Sequence, residues 1–344
     1  MIRALFDGIG RVLGAPVLVA GVYLLTLLLA APLTLALHDA IASHLGASVA
    51  AEQAAAGVYW EWWEEFQAQA QGFERTFTPS IIGFGAVLSN LSAFVDGAAP
   101  SGGLAVAVAF YLAAWAFLAG GVLDRLARRR RLGASAFFAA CGTYFFRFLR
   151  LAVVAGLAYW LLFDLFHAWL LEDLYADVTR GITVERTAFL VRLGGYALFG
   201  ALVLPVNLLL DYAKIRAVVE DRRSMLGALL AAGRFVRRRP FSTGGLYALN
   251  AGLFGLLLAG YAAVDPGIGA PDGTALWTAL LIGQAYVLAR VVTKLVFYAS
   301  QTAYFQSQLA HAGYVAAPRP VPPEPPAAET LAHTAHDAGK APAS

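Results

Sequence analysis

Six stretches of mainly apolar residues, at about 12–37, 104–123, 150–171, 189–210, 244–264 and 275–299, decide what this chain can fold into. Each is long enough for a helix to cross a bilayer, which takes roughly 20 such residues. Hydrocarbon offers no partner for backbone N–H and C=O groups, so a spanning segment is either a helix or a strand of a closed barrel. Barrel strands alternate apolar and polar positions, and these runs do not. The expected fold class is therefore all-α, a polytopic membrane bundle with six transmembrane helices. Composition agrees: 59% of the 344 residues are hydrophobic and 14% charged, with a mean hydropathy of +0.65, a balance foreign to a water-soluble domain. Arg3 and Arg11 precede the first run as they would in a secretory signal. The run continues to Leu37 without a small-residue cleavage site, so it is expected to stay as an anchor.

Orientation follows from Lys and Arg. Arg125, Arg128, Arg129, Arg130, Arg131, Arg147 and Arg150 lie between spans two and three, and Lys214, Arg216, Arg222, Arg223, Arg234, Arg237, Arg238 and Arg239 between spans four and five. The other connections are poor in cations, with Arg75 alone in 38–103, Arg180 and Arg186 in 172–188 and none in 265–274. Both clusters are expected in the cytoplasm of a bacterium, with both termini inside and the chain in the plasma (inner) membrane. Net charge is only +3, so the asymmetry carries the information.

The basic segments, about 124–150 and 211–243, are expected to form cytoplasmic amphipathic helices. In the second, Ser224 suits an N-cap, Met225, Leu229, Ala232 and Val236 follow at helical spacing, and Pro240 marks a break. The first sets Phe137, Phe138, Tyr144 and Phe148 against Arg147 and Arg150. Such helices lie at the interface, where Arg128, Arg129, Arg130, Arg131, Arg147, Arg150, Arg222, Arg223, Arg234, Arg237, Arg238 and Arg239 meet anionic lipid headgroups at about 1 kcal/mol each near the surface. The two segments also match at an offset of 92 residues: Arg130 with Arg222, Arg131 with Arg223, Ala136 with Ala228, Ala139 with Ala231, Ala140 with Ala232 and Arg147 with Arg239. Either a parallel repeat of span, cytoplasmic helix and span underlies this match, or two segments converged on one interfacial solution.

The run "IRAVVEDRRSMLGALLAAGRFVRRRPFSTGGLYAL", Ile215 to Leu249, resembles a segment of a group of bacterial six-span proteins of unknown function. That group includes the membrane domain attached to some glycerophosphodiester phosphodiesterases. The likeness spans Leu204 to Leu257, and Gly233 and Arg234 replace the Ser and aromatic residue of the group's pattern. It implies a fold and a location. The motif is compositional rather than catalytic and no soluble phosphodiesterase domain is present, so it implies no phosphodiesterase activity.

The external segment 38–103 contains "VYWEWWEEFQAQAQGFERTF", which places Tyr59, Trp63, Phe66, Ala70, Phe73 and Phe77 on one helical face and Glu61, Glu64 and Glu65 opposite. This external amphipathic aromatic helix, with Trp60 and Trp62, is expected along the outer leaflet. It is read as a brace capping the bundle, with a lid or a partner surface as alternatives. In span two, Ala105, Ala109, Ala113, Ala116 and Gly120 make a stripe of small residues that lets a neighbouring helix approach. The membrane domain is assigned to 1–316, and the Pro- and Ala-rich 317–344 to a disordered cytoplasmic tail.

Ionisable groups at membrane depth are functional suspects. Asp164 and His167 share a face of span three, and Arg192 enters span four from the same side. They are read as a neutralising pair, with a proton or anion site as the competing reading. Arg290 and Lys294 in span six are read as snorkelling to the inner headgroups, with Gln284 as a polar continuation. Pro205 and Asn207 suggest a kink. There is no metalloprotease, nucleophile-elbow or phosphate-loop motif. Cys141 is the single cysteine, and His38, His44, His333 and His336 are read as solvated. No catalytic residue, metal, cofactor or nucleic-acid partner is expected. The expected partners are membrane lipids with anionic headgroups on the cytoplasmic side. The function expected is that of a non-enzymatic scaffold or membrane-organising protein, and the alternative is a small transporter or lipid-handling protein with a polar path through the bundle.

Overall fold

The computed structural model describes residues 1–46, 48–56, 59–77, 83–98, 102–130, 133–265 and 273–310. It separates into two units, Met1–Gln308 and Leu309–Ser344, and only residues 309–310 of the second are described. The expected tail, with His333 and His336, lies outside the described residues, as does Arg131.

The elements are α1 (Ile2–Leu13), α2 (Pro16–Leu45), α3 (Ala50–Ala56), α4 (Trp60–Gln69), a 3-10 turn at Gly72–Thr76, α5 (Gly83–Val95), α6 (Gly102–Arg128), α7 (Ala134–Trp160), two wide π-helical stretches at Leu161–His167 and Trp169–Leu174, α8 (Tyr175–Thr179), α9 (Glu185–Val219), α10 (Met225–Arg238), α11 (Pro240–Val264) and α12 (Gly273–Ala310). No strand occurs among the described residues. Six helical stretches are long and apolar enough to cross a membrane: Pro16–Leu45, Ala105–Arg128, Ala134–Thr179, Glu185–Val219, Pro240–Val264 and Gly273–Leu309. The chain is an all-α polytopic bundle.

Burial is concentrated at the arginine-rich end. Val122, Leu123, Leu126, Tyr212, Ile215, Leu246, Leu295 and Phe305 are 0–1% exposed there, whereas only 6–33% of each span's most apolar window is buried. Lipid, rather than protein, therefore solvates most of the spanning surface.

The first apolar run divides in two. Gly14 ends α1, its N–H donating to the Gly10 carbonyl, and Pro16 opens α2 at a position where its missing N–H costs nothing. α1 is amphipathic: Gly8 and Val12 are buried, while Ile2, Phe6 and Leu13 are 63%, 67% and 72% exposed. It packs so closely that a Cβ on Gly8 would sit 2.6 Å from the Ser300 backbone nitrogen. Arg11 bonds Asp7, the Leu126 carbonyl (3.0 Å) and Gln306 (2.8 Å), which joins α1, α6 and α12.

The basic segment 124–150 is not a separate interfacial helix. α6 runs on to Arg128, and α7 begins at Ala134 and continues into the span. Its counterpart breaks because Pro240 starts a new helix; Phe148 stands at the matching position of α7 and lets that helix continue. The repeat therefore does not extend to architecture. Of the small stripe in α6, Ala109 and Ala113 are exposed, Ala105 and Ala116 are half-buried, and the fully buried member is Gly120. A Cβ there would lie 2.8 Å from the Tyr144 Cβ, and one on the adjacent Gly121 would lie 2.6 Å from the Cys141 Sγ.

On the opposite end, α4 packs onto the end of α2, as a brace does. Trp62 and Phe66 are buried with Ala70, and Ala40, Ile41, Leu45, Tyr59, Trp63 and Phe77 pack around them. The expected face is corrected at Trp62, which turns inward because its indole N–H donates to His44 Nδ1 at 3.0 Å. His44 is thus not simply solvated. The helix stops at Gln69, so Phe73 belongs to the 3-10 turn instead. Trp60 alone among the tryptophans of α4 is freely exposed, at 57%.

Candidate functional site

The second basic segment does form its own helix. Ser224 caps α10, its Oγ accepting from the Gly227 N–H at 3.2 Å. Met225, Ala228, Ala231, Ala232 and Phe235 are buried against neighbours that include Tyr212, Tyr304 and Phe305. The opposite stripe is apolar first and basic afterwards: Leu226 and Leu230 are 63% and 69% exposed, and the exposed Arg234, Arg237 and Arg238 follow. None of these three arginines has an ion pair or side-chain hydrogen bond with a described residue. Beside the start of α10 lies an open groove of about 650 Å³, lined by Arg150, Val153, Val154, Arg223, Ser224, Met225 and Leu226. Arg150 and Arg223 are likewise without a protein partner among the described residues.

The other described arginines of the two clusters are engaged by the chain itself. Arg128 and Arg130 flank buried Asp124 at 2.6 and 3.7 Å, Arg129 pairs with Asp7, Arg147 with Asp221 at 2.8 Å, Arg222 with Glu220, and Arg239 lies over the Phe235 ring at 5.4 Å. These pairs close the basic end. Burial would raise the Asp7 carboxyl, yet the nearby guanidinium groups of Arg11 and Arg129 prevail and hold it below the ordinary aspartate value. Pairings of this kind join residues distant in sequence, so counting arginines could not separate the engaged from the free.

A second polar group lies inside the bundle, where four helices bring polar faces together. On α9, Asn207, Asp211 and Lys214 follow at four and three residues, one helical face. Lys214 Nζ is 2.7 Å from Asp211 Oδ1 and 3.3 Å from the Tyr298 hydroxyl of α12. Tyr298 also accepts from the Trp115 indole N–H of α6 at 3.3 Å, and their rings stack at 6.2 Å. Tyr159 of α7 donates to Asn207. Lys294 Nζ rests 3.5 Å above the Trp115 ring, with Tyr111 at 5.7 Å, and Arg290 is one turn away on α12 and exposed. Neither Lys294 nor Arg290 has a carboxylate partner among the described residues. A charge at a helix centre costs about 2.5–3.5 kcal/mol on insertion scales, while a desolvated cation–π contact returns roughly 2. The Lys214–Asp211 pair is neutral; Lys294 and Arg290 are not compensated. Lys294, expected to snorkel, carries its ammonium over the Trp115 ring. Asp211, Lys214, Trp115 and Tyr298 were not expected at a site, because Asp211 and Lys214 follow the last apolar residue of span four. The N-x-x-x-D-x-x-K spacing was the available signal.

The remaining expected residues separate. Gln284 accepts from Tyr23 of α2 at 2.8 Å and does not continue the Arg290–Lys294 stripe. Arg192 donates to Tyr196, which donates to Asp96 at 2.7 Å, and does not reach Asp164. His167 is buried and meets the Val95 carbonyl at 2.8 Å, whereas Asp164 is exposed. The π-helical turn explains this: its wider step rotates residues three apart off a common face. Hydrogen bonds from Tyr196 and Ser92 hold Asp96 below the ordinary aspartate value. Together with the Phe84 N–H bond to Asp265 at the far end, these contacts strap α5 to the bundle. No cluster of three His, Cys, Asp or Glu among the described residues is placed to hold a metal ion. Comparison with protein-family models, curated proteins and solved structures finds no match to the chain.

Proposed function

We propose that this is a non-enzymatic, multi-pass protein of a bacterial inner membrane that binds and organises anionic lipid at its arginine-rich end. In this reading that end, with both termini, faces the cytoplasm. The observation that carries it is the set of arginines left without a partner among the described residues, Arg150 and Arg223 at the apolar groove and Arg234, Arg237 and Arg238 along the exposed stripe of α10. An apolar lining accepts acyl chain while guanidinium groups accept phosphate, which is the chemistry of a lipid headgroup at the interface. The exposed apolar face of α1 supports the same placement. The resemblance read from the run Ile215 to Leu249 implies the same location. The competing transport reading set a polar route past Asp164, His167, Arg192 and Arg290. Their contacts fall in separate places, so it is not adopted for that set.

Electron spin resonance of spin-labelled lipid in reconstituted vesicles tests the proposal. The wild-type protein is expected to prefer phosphatidylglycerol to phosphatidylcholine, and each substitution Arg234→Gln, Arg237→Gln or Arg238→Gln to lower that preference by up to about fivefold at low salt. Equal association of both lipids with the wild type would overturn it.

A further inference from the structure

The positive charge around Lys294 involves other residues than the unpartnered arginines of α10. Lys214 is already held by Asp211 at 2.7 Å, and the ammonium of Lys294, one turn from Arg290 on α12, makes no ion pair with a described residue. Aromatic rings line one side of that ammonium, with Trp115 at 3.5 Å and Tyr111 at 5.7 Å. A lysine has three donors, and none reaches an acceptor among the described residues. Further along the same stripe of α12, at the four- and three-residue spacing of Arg290, Lys294, Tyr298 and Gln301, the Gln301 side chain is 1% exposed and neither of its amide atoms has a partner among the described residues. Arg290 is exposed within an apolar span. Lys294 lies one turn nearer the arginine-rich end than Arg290.

We infer that Lys294 and Arg290, backed by the Lys214–Asp211 pair and the Trp115 ring, bind a phosphate-class anion inside the bundle. Three cations and one carboxylate leave a surplus that a phosphodiester halves and a dianionic phosphate neutralises. Its oxygens accept from Lys294 Nζ and from the guanidinium of Arg290, while the Trp115 and Tyr111 faces keep water from the ammonium. This site does not depend on the arginines of α10, and either can fail alone.

The test uses the full chain in nanodiscs of phosphatidylcholine, of phosphatidylcholine with phosphatidylglycerol, and of phosphatidylcholine with inorganic phosphate in solution. Thermal unfolding and native mass spectrometry of retained lipid are the readouts. A ligand bound by the folded state raises the melting temperature. Wild-type protein is expected to melt several degrees higher with phosphatidylglycerol and to retain a lipid that Lys294→Gln loses, while Lys294→Arg keeps both effects. In phosphatidylcholine alone, Lys294→Gln is expected to melt no lower than wild type, because an uncompensated charge has been removed. Arg234→Gln, on α10, is expected to leave the effects at Lys294 intact. A rise with inorganic phosphate that Lys294→Gln abolishes assigns the same site to a free anion. No rise in either medium overturns the inference, and so does a rise that Lys294→Gln leaves unchanged.

Discussion

At the scale of single residues the most consequential side chain outside the sites is Arg11. It is 8% exposed and simultaneously holds Asp7, the Leu126 carbonyl and Gln306. Its loss leaves the Leu126 carbonyl and the Gln306 amide oxygen without this donor, at about 1–3 kcal/mol for each buried group left unsatisfied, while Asp7 keeps Arg129. Arg11→Ala is therefore expected to lower stability by about 3 kcal/mol in chemical unfolding and to release α1 to proteolysis. Asp7 allows the pH dependence to be signed. Its folded value lies below the ordinary one, so the contribution is fully present above the ordinary aspartate range and is lost as pH falls through the depressed value. Unfolding between neutral and strongly acid pH checks this: Asp7→Asn is expected to remove that part of the acid sensitivity. Gly8 belongs at the same scale, since a methyl group there meets Ser300 backbone at 2.6 Å. Gly8→Ala is expected to cost about 1–3 kcal/mol by overpacking, measured in the same unfolding experiment.

At the scale of elements, α10 shows what local sequence can and cannot specify. Ser224 and Pro240 marked its ends correctly, because capping and the missing N–H of proline are local effects. Which of its faces is buried was legible only in part. Met225 and Ala232 are buried, but Leu229 and Val236 are half-buried and Phe235 lies deeper. The partners, Tyr212 of α9 and Phe305 of α12, are set by tertiary packing. Phe235→Ala is expected to destabilise by about 3–5 kcal/mol and to raise hydrogen exchange across 225–238; unchanged exchange would mean that α10 is held by something else. The division of α1 from α2 was missed although Gly14 and Pro16 were visible, because apolar residues continue across the break. The π-helical stretches around Asp164 have no sequence signature that anticipates them, so the shared face of Asp164 and His167 could not be judged from spacing.

At the scale of the whole molecule, the six spans were legible because length and apolarity suffice to recognise a helix in lipid. The charge pairings were not, since Arg129 with Asp7 and Arg147 with Asp221 join elements that only the folded bundle brings together. The outcome is an asymmetric protein, with its protein core and its free arginines at one end and aromatic α4 and apolar α5 at the other. That asymmetry predicts a single topology, and cysteine accessibility in intact cells tests it most directly. Cys141 is buried and contributes no background. Cysteine introduced by Arg238→Cys is expected to react with an impermeant maleimide only after the membrane is opened, and cysteine introduced by Trp60→Cys to react in intact cells. Labelling of the Arg238→Cys protein from outside would place the arginine-rich end away from the anionic cytoplasmic leaflet and contradict the account.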